Sequence, residues 1–220
     1  MTGGNAKLTY MASLGYVNQD SMFKGPDYGY KRYNARLNLT HKVNDRLTLE
    51  MTSAFTRNDF REHAYWTNWI IEQANRMPAI YDIKNPDGTY TYPSGSNSNA
   101  LQRLEQGGYR RQENDDISGS LKADFEILKG WKLVGTVGGR VNNNLQHENR
   151  KAFEGTGDAE NHIAEESYRS KDITVNLMTS YDKTWDKHNF GFLAGYSYEG
   201  FSSRSFSTQR VTDNSKYDIL

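Results

Sequence analysis

Residues 31–43 read KRYNARLNLTHKV, with an apolar side chain at nearly every second position. Successive side chains of a β-strand point to opposite faces of the sheet, so residues two apart share a face. The apolar residues that share one face of this stretch are Tyr33, Ala35, Leu37, Leu39 and Val43. Polar residues fill the other face, and His41 is the one polar interruption of the apolar face. The stretch therefore predicts an amphipathic strand.

The same alternation recurs along the chain and predicts six further strands. Their apolar faces begin at Leu8, Leu47, Ile117, Leu133, Ile173 and Phe190. The predicted turns fall into two classes, tight ones at 44–45, 128–130 and 186–188 and long ones at 18–30, 59–114 and 143–170. We therefore predict an all-β fold, an antiparallel up-and-down meander of about seven long strands, with a short helix in one long loop.

Strand length and turn length together favour a membrane barrel over a soluble sheet. Several strands alternate for about ten residues, which is what a tilted strand needs to cross a bilayer. Short turns at one edge and long loops at the other are typical of outer-membrane barrels. Tyr16, Tyr33, Trp131, Trp185 and Phe190 lie near predicted turns, where an aromatic girdle would be. A soluble antiparallel sheet with one wet face alternates in the same way, so a β-sandwich that binds carbohydrate remains the alternative.

Composition excludes several other classes. Aromatic residues make up 13% of the 220 residues, which argues against disorder although only 35% are hydrophobic. The 27 basic and 27 acidic side chains cancel, so the footprint of a nucleic-acid-binding protein is missing. There is no cysteine, which excludes disulfides and thiolate metal sites. The sequence has no run of about 18 apolar residues, so no membrane-spanning helix is predicted.

Two motifs resemble a known family. Residues 3–16 read GGNAKLTYMASLGY and residues 31–39 read KRYNARLNL, and both resemble barrel strands of TonB-dependent outer-membrane transporters of the SusC/RagA type. Neither motif is catalytic. The later strands fit the family only through their alternation.

The resemblance implies a large importer in the outer membrane of a Bacteroidetes-like bacterium. Such a protein is a 22-stranded barrel with a plug domain, is energised through TonB and takes up glycans or peptides with a SusD-like lipoprotein partner. We therefore expect residues 1–220 to be one partial transmembrane barrel, incomplete at both ends, without plug domain or signal peptide. Its expected partners are the rest of its own barrel and plug, the SusD-like lipoprotein, TonB through an absent N-terminal region, and outer-membrane lipid.

The long connection at 59–114 holds the candidate substrate-binding residues. Residues 63–76 predict a helix in which Trp66, Trp69 and Ile70 share one face. Further on, Tyr90 and Tyr92 fall on one face of a small hairpin turned by Pro86-Asp87-Gly88. These four aromatic rings could stack on a sugar or contact the SusD-like lipoprotein. Alternatively, they could only pack the loop against the mouth of the barrel.

No catalytic, cofactor or metal site is predicted. His63, His147 and His162 have acidic neighbours, but their spacing matches no metal-ligand pattern. No nucleophile elbow, zinc-protease, P-loop or dinucleotide motif occurs. We therefore expect no enzyme; a hydrolase at the barrel rim has no supporting motif.

Overall fold

The computed structural model describes residues 1–25, 27–92, 99–153 and 161–212, and these form one open antiparallel sheet with two helices. The strands are β1 (Thr2–Gly4), β2 (Leu8–Asp20), β3 (Gly29–Asn44), β4 (Leu47–His63), β5 (Gly108–Leu128), β6 (Trp131–Arg150), β7 (Asn161–Trp185) and β8 (His188–Thr212). The helices are α1 (Thr67–Arg76) and α2 (Ala100–Gln106), both between β4 and β5.

Each strand pairs with its neighbours in sequence, so the sheet order is β1 to β8 without a crossover. The predicted meander is therefore confirmed, with eight strands in place of about seven because the short β1 pairs with β2. The predicted hairpins are the pairs β3–β4, β5–β6 and β7–β8. Their short turns lie at one edge of the sheet, and the long connections lie at the other.

Local chemistry makes the short turns tight. The Asn44 side-chain oxygen accepts hydrogen bonds from the backbone N–H groups of Arg46 and Leu47, both at 2.9 Å. At the β5–β6 turn, Gly130 has a φ of +83°, a left-handed conformation that glycine adopts without steric cost. These turns fix the register, which sets the residues of neighbouring strands that lie opposite each other.

The strands extend further toward the long-loop edge than the sequence predicts. The connections predicted at 59–114 and 143–170 shrink because β4 reaches His63, β5 begins at Gly108, β6 reaches Arg150 and β7 begins at Asn161. These extensions are mostly polar, and their few apolar residues, such as Leu145 and Ile163, do not alternate, so they carry no period-two signal. The predicted loop boundaries were wrong for that reason.

One face of the sheet carries an apolar band. Cross-strand register places Leu39, Met51, Leu121, Val137, Val175 and Tyr198 in one row across β3 to β8. No second sheet of the described residues covers this face, and Leu121 and Leu177 are 47% and 46% exposed. The band is about ten residues long on each strand, which at about 3.3 Å per residue and a tilt of about 40° gives a height near 25 Å.

The upper limit of the band descends across the sheet. Tyr33 closes the band on β3, but the residue opposite it on β4 is Arg57. Phe55 closes the band on β4, and its row runs through Ile117 and Val141 to Lys171 on β7. The limit thus drops by one row between β3 and β4 and by another between β6 and β7. Strands that tilt against a horizontal boundary produce such steps.

Beyond the band, the same face becomes charged. On β4 and β5, Arg57 contacts Glu113 at 2.5 Å and Asp115 at 3.7 Å, and Arg111 contacts Asp59 at 2.8 Å. At the long-loop edge, the connection between β2 and β3 packs against this face, with the Phe23 and His63 rings at a centroid distance of 5.1 Å. In the described ranges, no helix has the length and apolar character needed to cross a bilayer.

Candidate functional site

The opposite face of the sheet is a wall of polar side chains. In its upper half, carboxamides from neighbouring strands lie in contact. Gln112 donates to Asn144 at 3.2 Å, and Asn142 donates to Asn114 at 3.4 Å. The Tyr30 hydroxyl donates to Asn58 at 2.7 Å. We call Asn58, Gln112, Asn114, Asn142 and Asn144 the amide ladder.

Two ion pairs lie on this wall. The Arg140 guanidinium donates to Asp116 at 2.7 Å, and the Lys122 ammonium donates to Glu50 at 3.2 Å. Each carboxamide carries both donors and acceptors. A wall of carboxamides beside neutralised charge pairs suits an uncharged ligand rich in amides or hydroxyls.

The helical connection between β4 and β5 stands at the long-loop edge of this wall. Asn99 anchors it, since its side-chain oxygen accepts from the N–H groups of Leu101 and Gln102 and caps α2. The Asn99 amide nitrogen donates to the carbonyls of Ile83 at 2.9 Å and Thr91 at 3.1 Å. One buried side chain therefore ties α2 to the small hairpin.

The helix predicted within residues 63–76 is present as α1, but it begins only at Thr67, and Trp66 and Ile70 do not share a face. Trp66 precedes the first helical residue and is 73% exposed, whereas Ile70 is 2% exposed. The predicted stripe is wrong because the backbone at Trp66 is extended, which breaks the helical spacing. Trp66 lies beside the polar wall, with the Arg110 guanidinium 6.0 Å from its ring centroid.

Trp69 is held in an internal stack. The Arg103 guanidinium lies 4.1 Å from the Trp69 ring centroid and 4.4 Å from that of Tyr65. Arg103 is 6% exposed, so the stack is a small core that joins α1 to α2. A desolvated guanidinium on aromatic faces contributes about 2 kcal/mol to such a contact.

Tyr90 and Tyr92 lie on the hairpin, which the Lys84 to Tyr90 bridge confirms. The Tyr90 hydroxyl donates to Glu105 and the Tyr92 hydroxyl donates to Gln102, so both rings are tied to α2. Lys84 also donates to Glu105 at 2.7 Å. Burial and the hydrogen bond to Glu105 raise the pKa of Tyr90, while the hydrogen bonds from Lys84 and Tyr90 lower the pKa of Glu105.

The structure places the four predicted aromatic residues in the helical connection between β4 and β5, residues 64–92 and 99–107 of the described chain, which we call the rim segment; their exposure differs. Trp66 is free of the helical packing and borders the wall, whereas Trp69, Tyr90 and Tyr92 also hold the segment together. Sequence analysis missed most of the amide ladder, because it assigned Gln112, Asn114 and Asn144 to loops. The run Asn142-Asn143-Asn144 is polar on both faces and gives no strand signal.

Histidines near acidic groups do not form a metal centre within the described residues, where no group of three or more potential ligands occurs. His147 contacts Glu165 at 3.2 Å, and the Nδ1 atom of His162 lies 3.8 Å from Glu148. The first pair and the second lie on opposite faces of the sheet, because their positions differ by an odd number of residues along β6 and β7.

No protein-family model and no curated protein matches the chain. Solved structures do match it. Two chains of the RagAB peptide importer, in the "closed-closed" and "open-open" states, have TM-scores of 0.76 and 0.77 at 20% and 18% identity. They cover 96% and 100% of this chain, which in turn covers 24% and 25% of theirs.

A structure of the RagAB peptide transporter has a TM-score of 0.72 at 19% identity, covering 94% of this chain and 24% of its own. The chain therefore spans about a quarter of the length of these solved structures. At such identities the likeness establishes the fold. The fold is an open up-and-down sheet that matches part of a barrel.

Proposed function

We propose that the chain is a stretch of the barrel wall of a TonB-dependent nutrient importer of the SusC/RagA type in a bacterial outer membrane. Its apolar band contacts lipid, its polar wall lines the lumen, and its long connections form extracellular loops. The chain contributes binding surface and no catalysis. The rest of the barrel, the plug domain and the segment that contacts TonB would come from elsewhere in the protein.

The apolar band is the observation that carries this proposal. It is about ten residues long on each strand, which is the length that a tilted barrel strand needs to cross a bilayer. Aromatic contacts mark both limits, with Tyr16 and Tyr33 at a centroid distance of 5.1 Å near the long loops and Trp131 and Tyr181 at 6.5 Å near the short turns. Tyrosine and tryptophan favour the two membrane interfaces.

The imported substrate is a peptide or a glycan. The amide ladder supplies donors and acceptors to peptide groups or to sugar hydroxyls, and Trp66 supplies an exposed ring beside it. Similarity to a peptide importer favours the peptide. We propose Trp66 as the first contact, with Trp69, Tyr90 and Tyr92 acting in the same rim segment. The partner at this rim is a SusD-like lipoprotein.

Uptake in the host bacterium tests the proposal. Disruption of the gene that encodes this chain should abolish uptake of labelled oligopeptides or oligosaccharides, and the protein should fractionate with the outer membrane. Trp66→Ala should reduce uptake at low substrate concentration by about tenfold, since truncation of a tryptophan that dominates a binding surface costs more than about 1 kcal/mol.

Trp185→Ala is the matched control, because Trp185 is 79% exposed but lies at the short-turn edge. It should leave uptake unchanged. Recovery of the protein in the aqueous fraction, with uptake intact after disruption, would contradict the proposal.

A soluble carbohydrate-binding β-sandwich is supported less well. That fold needs a second sheet over the apolar face. The described part of the chain contributes a single sheet.

A further inference from the structure

Three basic side chains lie on the apolar side of the sheet, just beyond the limit of the band. On β7, Ile173 is the last residue of the apolar band, and Lys171 and Arg169 are the next two residues on the same face. Arg204 on β8 lies directly opposite Arg169. We call Arg169, Lys171 and Arg204 the basic cluster. All three side chains are exposed.

No carboxylate neutralises the basic cluster among the residues that the structure describes. The β6 residues opposite Arg169 and Lys171 are Asn143 and Val141, and the β8 residue opposite Lys171 is Ser202. The nearest acidic residue of β7 on this face is Glu165, two rows away, and it contacts His147 at 3.2 Å.

A basic residue of β4 at the same level of this face is paired. Arg57 occupies the same row as Arg169, and it contacts Glu113 and Asp115. Like charges directly opposite each other destabilise a sheet. The Arg169 and Arg204 pair therefore costs stability in the free protein, and an external anion would remove that cost.

We propose that the basic cluster binds the phosphate groups of a phosphorylated glycolipid in the outer leaflet. This inference rests on the proposed function, because the apolar band then fixes the depth of the lipid tails. Residues one and two rows beyond the band lie at headgroup level, where the lipid phosphates are. Basic pockets at this depth attract anionic headgroups, and each Lys or Arg contributes about 1 kcal/mol.

Lipid retention by the full-length protein tests this inference. The protein is inserted into phosphatidylcholine nanodiscs doped with diphosphoryl lipid A, and retained lipid A is counted by native mass spectrometry. The double variant Arg169→Gln/Arg204→Gln should bind lipid A about 30-fold more weakly, a factor that corresponds to about 2 kcal/mol. Arg169→Lys/Arg204→Lys keeps both charges and should retain most of the binding.

Lys42→Gln/Lys132→Gln is the matched control, since it removes two charges from the polar wall on the opposite face. It should leave lipid A retention unchanged, and fully dephosphorylated lipid A should not be retained by any variant. Equal loss in the control variant, or equal retention of dephosphorylated lipid A, would overturn the inference. Binding of inorganic phosphate without binding of lipid A would overturn it as well.

The two proposals fail in different ways. If the protein inserts into nanodiscs and imports substrate, but Arg169→Gln/Arg204→Gln retains lipid A as the unmodified protein does, only the proposed lipid site is contradicted. A protein that does not insert at all contradicts the proposed function and this inference together.

Discussion

At the scale of single residues, His63 is the clearest case of a titratable group controlled by burial. The side chain is 2% exposed, and its Nδ1 atom has no hydrogen-bond partner in the part of the chain that the structure describes. Burial is the main cause that lowers its pKa; Arg110 lowers the pKa further and Glu62 opposes this. Burial beside the folded rim segment therefore favours the neutral form of the His63 ring.

Rim stability should depend on pH through His63. The folded pKa lies below the ordinary value of about 6.5, so the unfolded rim binds more protons between those two values. The contribution of His63 to rim stability is fully present above about pH 6.5 and is lost as the pH falls through that window. Hydrogen exchange of rim amides, corrected for the intrinsic rate, should accelerate on going from about pH 7.5 to 5.5.

His63→Phe should remove this acceleration, because Phe fills the contact with Phe23 and Tyr28 without titrating. His188→Phe, at the exposed first residue of β8, should keep it. A rim whose corrected exchange is independent of pH in the unmodified protein would refute the role of His63.

Sequence analysis found the aromatic residues of the rim but not their individual environments. The periodicity of residues 63–76 located α1, yet the extended backbone at Trp66 depends on how the loop leaves β4. Likewise, the stack of Arg103 on Trp69 joins two helices separated by a hairpin, and no local pattern encodes such a contact.

At the scale of elements, the strands show where a sequence pattern is informative. Alternation located every strand from β2 to β8 wherever one face was apolar. It ended where charged residues entered that face, as at Arg57 on β4 and Asp115 on β5. The amide ladder lies largely in these extensions, so its position became visible only through the register.

Substitutions at two adjacent residues of β3 compare the environments of the two faces of the sheet. Leu37→Arg should destabilise the protein in vesicles by about 2–4 kcal/mol, because it places a charge in the lipid-facing band. Asn38→Arg should cost less than about 1 kcal/mol, because Asn38 faces the polar wall. Guanidinium unfolding of the full-length protein from vesicles, followed by tryptophan fluorescence, measures both values. Equal losses for the two variants would mean that the faces do not differ in environment.

At the scale of the whole molecule, eight strands form an open sheet in which each strand pairs with the next one in sequence. In the described residues, β1 and β8 are its edge strands. Unpaired backbone groups at an edge are costly in lipid, so a membrane location requires further strands beside them. The match to about a quarter of a longer chain agrees with this requirement.

The most direct test of the account asks what each face of β5 touches. Because the sequence contains no cysteine, single cysteines at positions 109–127 of the full-length protein can carry nitroxide labels against a background without cysteines in this region. Electron paramagnetic resonance then measures the collision rates of each label with oxygen, which concentrates in lipid, and with a water-soluble nickel complex.

We predict oxygen maxima at Ile117, Gly119, Leu121, Ala123 and Phe125, with nickel maxima at the residues between them. At positions 109, 111, 113 and 115 the oxygen maxima should vanish, because the apolar face leaves the lipid there. Low collision rates with both reagents at Leu121 would place the apolar face inside a protein core and contradict the account.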